Sequence, residues 1–190
     1  FGRPSRYTST QGTAIVKVFD VTAGGTGANE KQLRAAGLDY RKVYVHPNGH
    51  ASYYPGTAAM HLKLLFAPDG RVLGGQVVGY DGVDKRIDVL AVALRAELTV
   101  WDLAELELAY APPYGSAKDP INMAGFQASN LLDGTVRLWY PEDWGKLPAD
   151  AILLDVRTLE ENQTCALPGS VNIPVQQLRQ RVDELDRGRP

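Results

Sequence analysis

HLKLLFAPDGRVLGGQVVGY (residues 61–80), running on into DGVDKRIDVLAVALRAEL (81–98), is the stretch that decides the fold. In its first part apolar and polar side chains alternate. Leu62, Leu64 and Phe66 fall on one face of a strand, His61 and Lys63 on the other. Pro68-Asp69-Gly70 reads as a turn, because proline presets φ and glycine relieves the left-handed position. Residues 71–80 then supply the antiparallel partner strand, and the glycines inside it ask for a close backbone approach or a bulge. After Asp81 the period changes from two to 3.6: Ile87, Leu90, Ala91, Leu94 and Leu98 share one helical face. A hairpin that hands its apolar face to the next helix is the seed of an α+β fold.

Toward the N-terminus, AIVKVFDVTA (14–23) is rich in β-branched and aromatic residues and reads as one strand. GGTGAN (24–29) then turns the chain, and a short helix over Glu30–Ala36 stops at Gly37. YRKVYVHPNG (40–49) is a further strand ending in an Asn48-Gly49 turn. Toward the C-terminus, Thr99 and Asp102 have capping-box spacing ahead of LAELEL. In AYAPPYGSAKDPIN (109–122), Pro112 and Pro113 fix φ, and the first biases Ala111 away from the helical region. The chain from Leu108 to Ser116 is therefore expected to be stiff and extended. Asp119 before Pro120 matches an N-cap with proline at the first helical position, so a helix follows to about Leu131. Residues 1–132 read as a mostly antiparallel sheet covered by helices.

Composition shifts near Leu132, where Trp139 and Trp144 stand among prolines. AILLDVRT (151–158) looks like a short buried strand. LPGSVNIP (167–174) precedes an amphipathic helix with Val175, Leu178, Val182 and Leu185 on one face and Pro174 near its first turn. Residues 133–190 thus read as the start of a parallel α/β unit with too few strands for a complete core.

Several classes of function are excluded. The formal charge is -2 and the basic residues are scattered, which does not suit a nucleic-acid binder. Cys165 is the only cysteine, so there is no internal disulfide framework and no multi-cysteine metal site. A reducing, cytoplasmic setting is the default. No run approaches the ~20 apolar residues of a membrane helix, and FGRPSRYTST carries no signal-peptide core. That opening, without a Met, is expected to be cut from a longer chain. TAGGTGAN lacks the glycine spacing of a dinucleotide fingerprint. His46 and His50 lack the third ligand that zinc wants, and His61 falls on a polar strand face. Asp102, Glu105 and Glu107 suit a solvated helix face, and Lys118 a solvated position beside the Asp119 cap.

Taken in order, GTAIVKVFD, ASYYPG, GRVLGGQVVG, GVDKRIDVLAVALRAELTVWDLAELELAYAPPY and SAKDPINMAG carry a resemblance. Residues from about Arg3 to Asn130 resemble the C-terminal dimerisation domain of flavin-dependent pyridine nucleotide-disulfide oxidoreductases, in the branch of CoA-disulfide reductase and NADH oxidase. LLDVR followed by LPGSVNIP resembles the beginning of a rhodanese domain, over roughly Gly134 to Pro190. The resemblance implies a homodimeric parent that uses FAD and NAD(P)H to reduce CoA disulfide, another small disulfide, polysulfide or oxygen. The nucleotide-binding domains and redox cysteine of such enzymes lie upstream, so this chain alone is expected to hold no cofactor.

The resemblance also implies that Tyr110, Tyr54 and Tyr53 reach toward the partner subunit's active site, where a phenol can donate to a thiolate or a bound thiol. The plainer reading is that each ring packs and bonds a carbonyl. Asp155 and Arg157 are expected to hold a strand end. Cys165 precedes PGSVNIP, whereas the sulfur-carrying cysteine of a rhodanese follows it, and Ala166 stands where a histidine is common. Two other functions stay open: a stand-alone sulfurtransferase dependent on Cys165, and a non-catalytic interaction module.

Overall fold

Alternation in residues 60–66 and 72–79 does what the pattern asks: it builds two adjacent central strands. The structure, a computed structural model, describes residues 2–7 and 9–190. The chain divides into two units, residues 1–137 and 138–190. In the first, β1 (Ala14–Val18), β2 (Val21–Gly27), β3 (Arg41–Val45), β4 (Met60–Phe66) and β5 (Val72–Gly79) form one five-stranded sheet. Its spatial order is β1-β2-β5-β4-β3, and every pairing is antiparallel. A register shift between Leu65 and Phe66 supplies the bulge that the glycine-rich partner strand called for.

Helices α1 (Glu30–Ala35), α2 (Val83–Arg95), α3 (Val100–Glu105) and α4 (Pro120–Leu132) complete the unit. α2 presses Ile87 and Leu90 onto the sheet, against Gly24 and Gly75, where a Cβ would stand 2.7 Å and 2.6 Å from those side chains. Met60, Leu62, Leu64, Phe66 and Val77 from the sheet, Ile87 and Leu90 from α2, Leu103 from α3 and Ile121 from α4 are fully buried. Each such side chain contributes roughly 1.5–3 kcal/mol by leaving water. Thr99 caps α3 and Asp119 caps α4, both in reciprocal capping boxes, with Pro120 at the first turn of α4 as the sequence requires.

Two local expectations give way. Residues 14–23 are not one strand but a hairpin, reversing at Phe19-Asp20 with Phe19 at φ 50. The sequence rules reserve such a position for glycine or asparagine, so nothing in AIVKVFDVTA announces the reversal. GGTGAN is consequently not the turn; Gly24 to Gly27 pair with β5. Nor is 108–116 extended throughout. Tyr114 N donates to Ala111 O at 2.8 Å, so Pro112 and Pro113 sit inside a turn. Proline's fixed φ suits a turn as well as an extended run, which is why the residue type alone misses it.

In the second unit β6 (Leu154–Asp155) and β7 (Val171–Asn172) form a two-stranded parallel sheet, with α5 (Leu159–Thr164) between them and α6 (Val175–Arg181) after it. The strand expected over AILLDV contracts to two residues because β7 offers it only two partners. The α+β class with a mostly antiparallel, helix-covered sheet is what the structure has.

Candidate functional site

Two loops of the first unit carry the tyrosines. The β3–β4 loop is closed at its base by the Asn48–Ala59 bridge, by Gly49 N donating to Ala58 O (2.9 Å) and by Met60 N donating to Pro47 O (2.8 Å). Inside it Thr57 Oγ1 donates to His50 O (3.2 Å), and the buried His50 ring meets Tyr54 edge-on with centroids 5.8 Å apart. The α3–α4 loop is held by Lys85 Nζ donating to Ala109 O (3.2 Å) and by the proline turn. A backbone bond joins the two loops: Ala51 N donates to Gly115 O at 2.9 Å.

The outcome is that Tyr53 Oη and Tyr110 Oη lie 3.2 Å apart. Tyr53 is 74% exposed, Tyr110 49% and Tyr54 41%. The structure therefore brings Tyr53 and Tyr110 together and sets Tyr54 beside them against His50. The hydrogen bond with Tyr110 holds the Tyr53 phenol above the ordinary tyrosine pKa. One hydroxyl hydrogen of the pair is spent on the other oxygen, which leaves one O–H for an outside acceptor. A donor that is itself an acceptor of a hydrogen bond is polarised by it, which favours an anionic partner.

Beneath the loops lies a group that sequence reading passed over. Arg86 is 1% exposed and its guanidinium meets Asp119 through Nε to Oδ1 (3.2 Å) and Nη2 to Oδ2 (2.8 Å). Asp119 had been legible as a helix cap and not as an ion-pair partner. The available signal was that Arg86 falls on the apolar stripe of α2, three residues after Val83 and four before Leu90.

The histidines do not form a metal centre. His46 Nδ1 meets His61 Nδ1 at 2.7 Å, and among the described residues no group of three or more His, Cys, Asp or Glu could hold an ion. Burial first, and then the neighbouring His61, lowers the pKa of His46.

In the second unit Arg157 clamps Asp155 at the end of β6, with Nε to Oδ1 at 3.0 Å and Nη2 to Oδ2 at 2.7 Å; Asn162 Nδ2 adds a bond to Oδ2 at 2.9 Å. These hydrogen bonds, Arg157 foremost, hold the Asp155 carboxyl well below the usual carboxylate range. Arg157 Nη2 also donates to the carbonyl of Cys165, whose side chain is exposed. A groove of about 550 Å³ runs past Trp139, Ile152, Leu154, Cys165 and Leu167. Among the described residues no helix is long and apolar enough to cross a membrane.

Comparison with known proteins places this architecture. The model of the pyridine nucleotide-disulphide oxidoreductase dimerisation domain matches residues 13–119. The coenzyme A disulfide reductase of Staphylococcus haemolyticus is 46% identical over 121 residues, covering 63% of this chain and 27% of the relative. That of Staphylococcus aureus (strain bovine RF122 / ET3-1) is 46% identical over 118 residues, covering 62% and 26%. Reduced Bacillus anthracis CoADR-RHD superposes with a TM-score of 0.93 at 45% identity, over 97% of this chain and 34% of that one. An NAD-dependent persulfide reductase from A. fulgidus gives 0.87 at 40% identity, over 96% and 33%. The chain spans about a quarter of the length of the curated relatives it matches. With more than half of its length under that one model, the chain belongs to the family of pyridine nucleotide-disulphide oxidoreductase dimerisation domains.

Proposed function

We propose that this chain is the dimerisation portion of a homodimeric, FAD- and NAD(P)H-dependent reductase of coenzyme A disulfide or a closely related small disulfide or persulfide. On this reading Tyr53 and Tyr110 of each copy, with Tyr54 beside them, face the active site of the partner copy. The observation that carries the reading is the exposed Tyr53–Tyr110 pair, two phenols held 3.2 Å apart by separate loops with one donor left over. Reduction of a disulfide releases a thiolate, and a phenol aimed at the departing sulfur stabilises charge that the intact disulfide lacks.

Both cofactors belong to other domains of the parent. The sheet β1–β5 is wholly antiparallel and offers no strand–turn–helix crossover whose glycine-rich turn could cradle a dinucleotide. This chain's own part is to join two copies and to present the phenols. A lone cysteine suits a reducing, cytoplasmic setting for such a parent.

Residues 133–190 are proposed as the entry portion of a rhodanese-like unit. Support comes from the parallel β6–β7 pair, the Asp155–Arg157 clamp and the 97% coverage by CoADR-RHD. Cys165 ends α5 rather than following β7, which speaks against its being the sulfur carrier.

The test uses the full-length parent. Tyr110→Phe is expected to lower kcat for the disulfide about tenfold, near 1.4 kcal/mol of transition-state stabilisation, with dimerisation and flavin content unchanged. Unchanged kcat would sink the proposal. Purified alone, the 190-residue chain is expected to show no flavin absorption band and no thiosulfate:cyanide sulfurtransfer.

A further inference from the structure

We propose that Arg86 is the positioning residue of the tyrosine pair, acting through the backbones of the two loops that carry Tyr53 and Tyr110. Every nitrogen of its guanidinium is used, and the partners come from three separate segments. Nε and Nη2 engage Asp119, nine residues beyond Tyr110. Nη2 also donates to Gly49 O at 2.9 Å, four residues before Tyr53. Nη1 donates to Gly82 O at 3.2 Å, at the start of its own helix. Gly82 stands at φ 68, and a Cβ there would fall on Arg86 Nη1, so this glycine serves both the turn and the arginine.

Asp119 passes the constraint on. Its Oδ1 accepts from Ile121 N (3.1 Å), while its own N–H donates to Asn122 Oδ1 (3.0 Å). Asn122 Nδ2 in turn donates to Leu103 O (3.1 Å) and Leu106 O (2.9 Å), which fixes where the α3–α4 loop departs. From the other end Lys85 holds Ala109 O, next to Tyr110. The loop carrying Tyr110 is thus anchored at both feet by consecutive residues of α2. The Ala51–Gly115 backbone bond then closes the two loops on each other.

Stability alone does not account for this arrangement. Both partners are almost fully buried, the Arg86 side chain 1% and the Asp119 side chain 4% exposed. At such burial the desolvation of two charges cancels most of their attraction, and an apolar pair of equal volume would hold the core as well. Val83, Ile87 and Leu90 around Arg86 show that the helix face is otherwise apolar. What an apolar pair cannot do is set direction. A guanidinium fork fixes the carboxylate and a carbonyl in one geometry, and a lysine ammonium would not reproduce it.

The inference rests on reading the tyrosine pair as the functional site, yet its first test needs no turnover. The 190-residue chain labelled at tyrosine Cζ reports each phenol's titration by NMR, with Tyr53→Phe and Tyr110→Phe assigning the signals. In the unsubstituted chain Tyr53 is expected to titrate above an ordinary tyrosine, because its hydroxyl is hydrogen-bonded to that of Tyr110 at 3.2 Å. In Arg86→Met and Asp119→Asn its midpoint is expected to fall to the value seen in Tyr110→Phe, while the amide chemical shifts of β2, β4 and β5 report a retained fold, at lower stability because one buried charge loses its partner. Arg86→Lys is expected to behave like Arg86→Met. A raised Tyr53 midpoint retained in a folded Asp119→Asn or Arg86→Met chain overturns the inference. Should Arg86→Met not fold, Asp119→Asn decides, since asparagine keeps the helix cap. In the parent enzyme Arg86→Met and Tyr110→Phe should each lower kcat about tenfold and their combination no further, as residues acting as one unit do. Full activity in Tyr110→Phe would remove the functional reading and leave the titration result standing. Additive losses would remove the positioning role and leave the functional reading.

Discussion

Tyr53 and Tyr110 are 57 positions apart in the chain and 3.2 Å apart at their hydroxyls, while Tyr54, next in sequence to Tyr53, turns to the buried His50 ring instead. Neighbouring tyrosines therefore have different neighbourhoods. Tyr54→Phe is expected to leave the Tyr53 titration where it is, whereas Tyr110→Phe lowers it, because the bond to Tyr110 is the foremost cause of the raised value. The sign follows from the direction. A phenol whose pKa is raised stays a donor as pH climbs, and its hydrogen bond is lost only as pH passes above an ordinary tyrosine's value of about 10. An alkaline limb in the parent's kcat well below that value would have to come from a group other than the Tyr53 phenol.

Glu30, at the first turn of α1, gathers Tyr40 Oη (2.9 Å), Arg34 (3.1 Å), Lys42 (3.2 Å) and Lys63. Burial pushes its carboxyl upward, but the bonds from Lys63, Tyr40 and Lys42 outweigh this and hold the pKa at about 2, against an ordinary 4.5. A depressed carboxylate contributes stability that is fully present above its unfolded pKa and lost as pH falls through the folded one. Urea melts should therefore show stability declining between pH 4.5 and about 2 in the natural chain. In Glu30→Gln that decline should be smaller, with a loss of about 2 kcal/mol already present at pH 7, allowing for solvent screening. Equal acid sensitivity in both proteins would count against the cluster.

Gly125 lies in the middle of α4, where glycine-to-alanine ordinarily gains about 1 kcal/mol of helix stability. Here a Cβ would stand 2.5 Å from Ala104 N and 2.8 Å from Val100 O, both backbone atoms of α3. Backbone cannot rotate aside, so overpacking decides the sign. Gly125→Ala is expected to destabilise the first unit by about 1–3 kcal/mol. A raised melting temperature would show that α3 yields without cost.

The fold was legible wherever local pattern and tertiary pairing agree. Residues 61–98 alternate, turn and change period within one continuous stretch, and Thr99 and Asp119 announce their helices by side-chain chemistry. It was illegible where a residue acts against type, as with Phe19 at positive φ, or where a residue fits two conformations, as with Pro112 and Pro113. The nearness of Tyr53 to Tyr110 agrees with the expectation drawn from the motifs around them, and Tyr54 stands beside them against His50. The Arg86–Asp119 pair was not legible, because an ion pair spanning 33 positions leaves no periodic trace. Nor was the His46–His61 contact, which depends on the β3–β4 register.

The second unit should open far more readily than the first. Among the described residues from 138 to 190, Ile173 and Pro174 alone are buried, whereas the first unit buries a continuous sheet-and-helix core. Its sheet consists of two strands of two residues each, below the size at which paired strands hold together unaided. Hydrophobic side chains such as Val156, Leu159, Leu167 and Val171 are 40–54% exposed. The unit is held instead largely by polar ties, among them the Asp155–Arg157 clamp, the Thr158–Glu161 capping box, Asn172 Nδ2 donating to Asp155 O and Arg157 O at 3.0 Å each, and Arg189 Nε donating to Asp150 O at 2.7 Å. Such exposed bonds contribute little net stability, so local opening costs far less than unfolding the sheet. Native-state hydrogen exchange on the 190-residue chain is expected to show amides of β6, α5 and α6 exchanging at least a hundredfold faster than those of β4 and β5, a difference of about 3 kcal/mol. Arg157→Lys, which loses the fork, should speed exchange in the second unit and leave β4 and β5 unchanged. Equal, strong protection in both units would mean that residues 138–190 draw on stabilisation beyond these contacts.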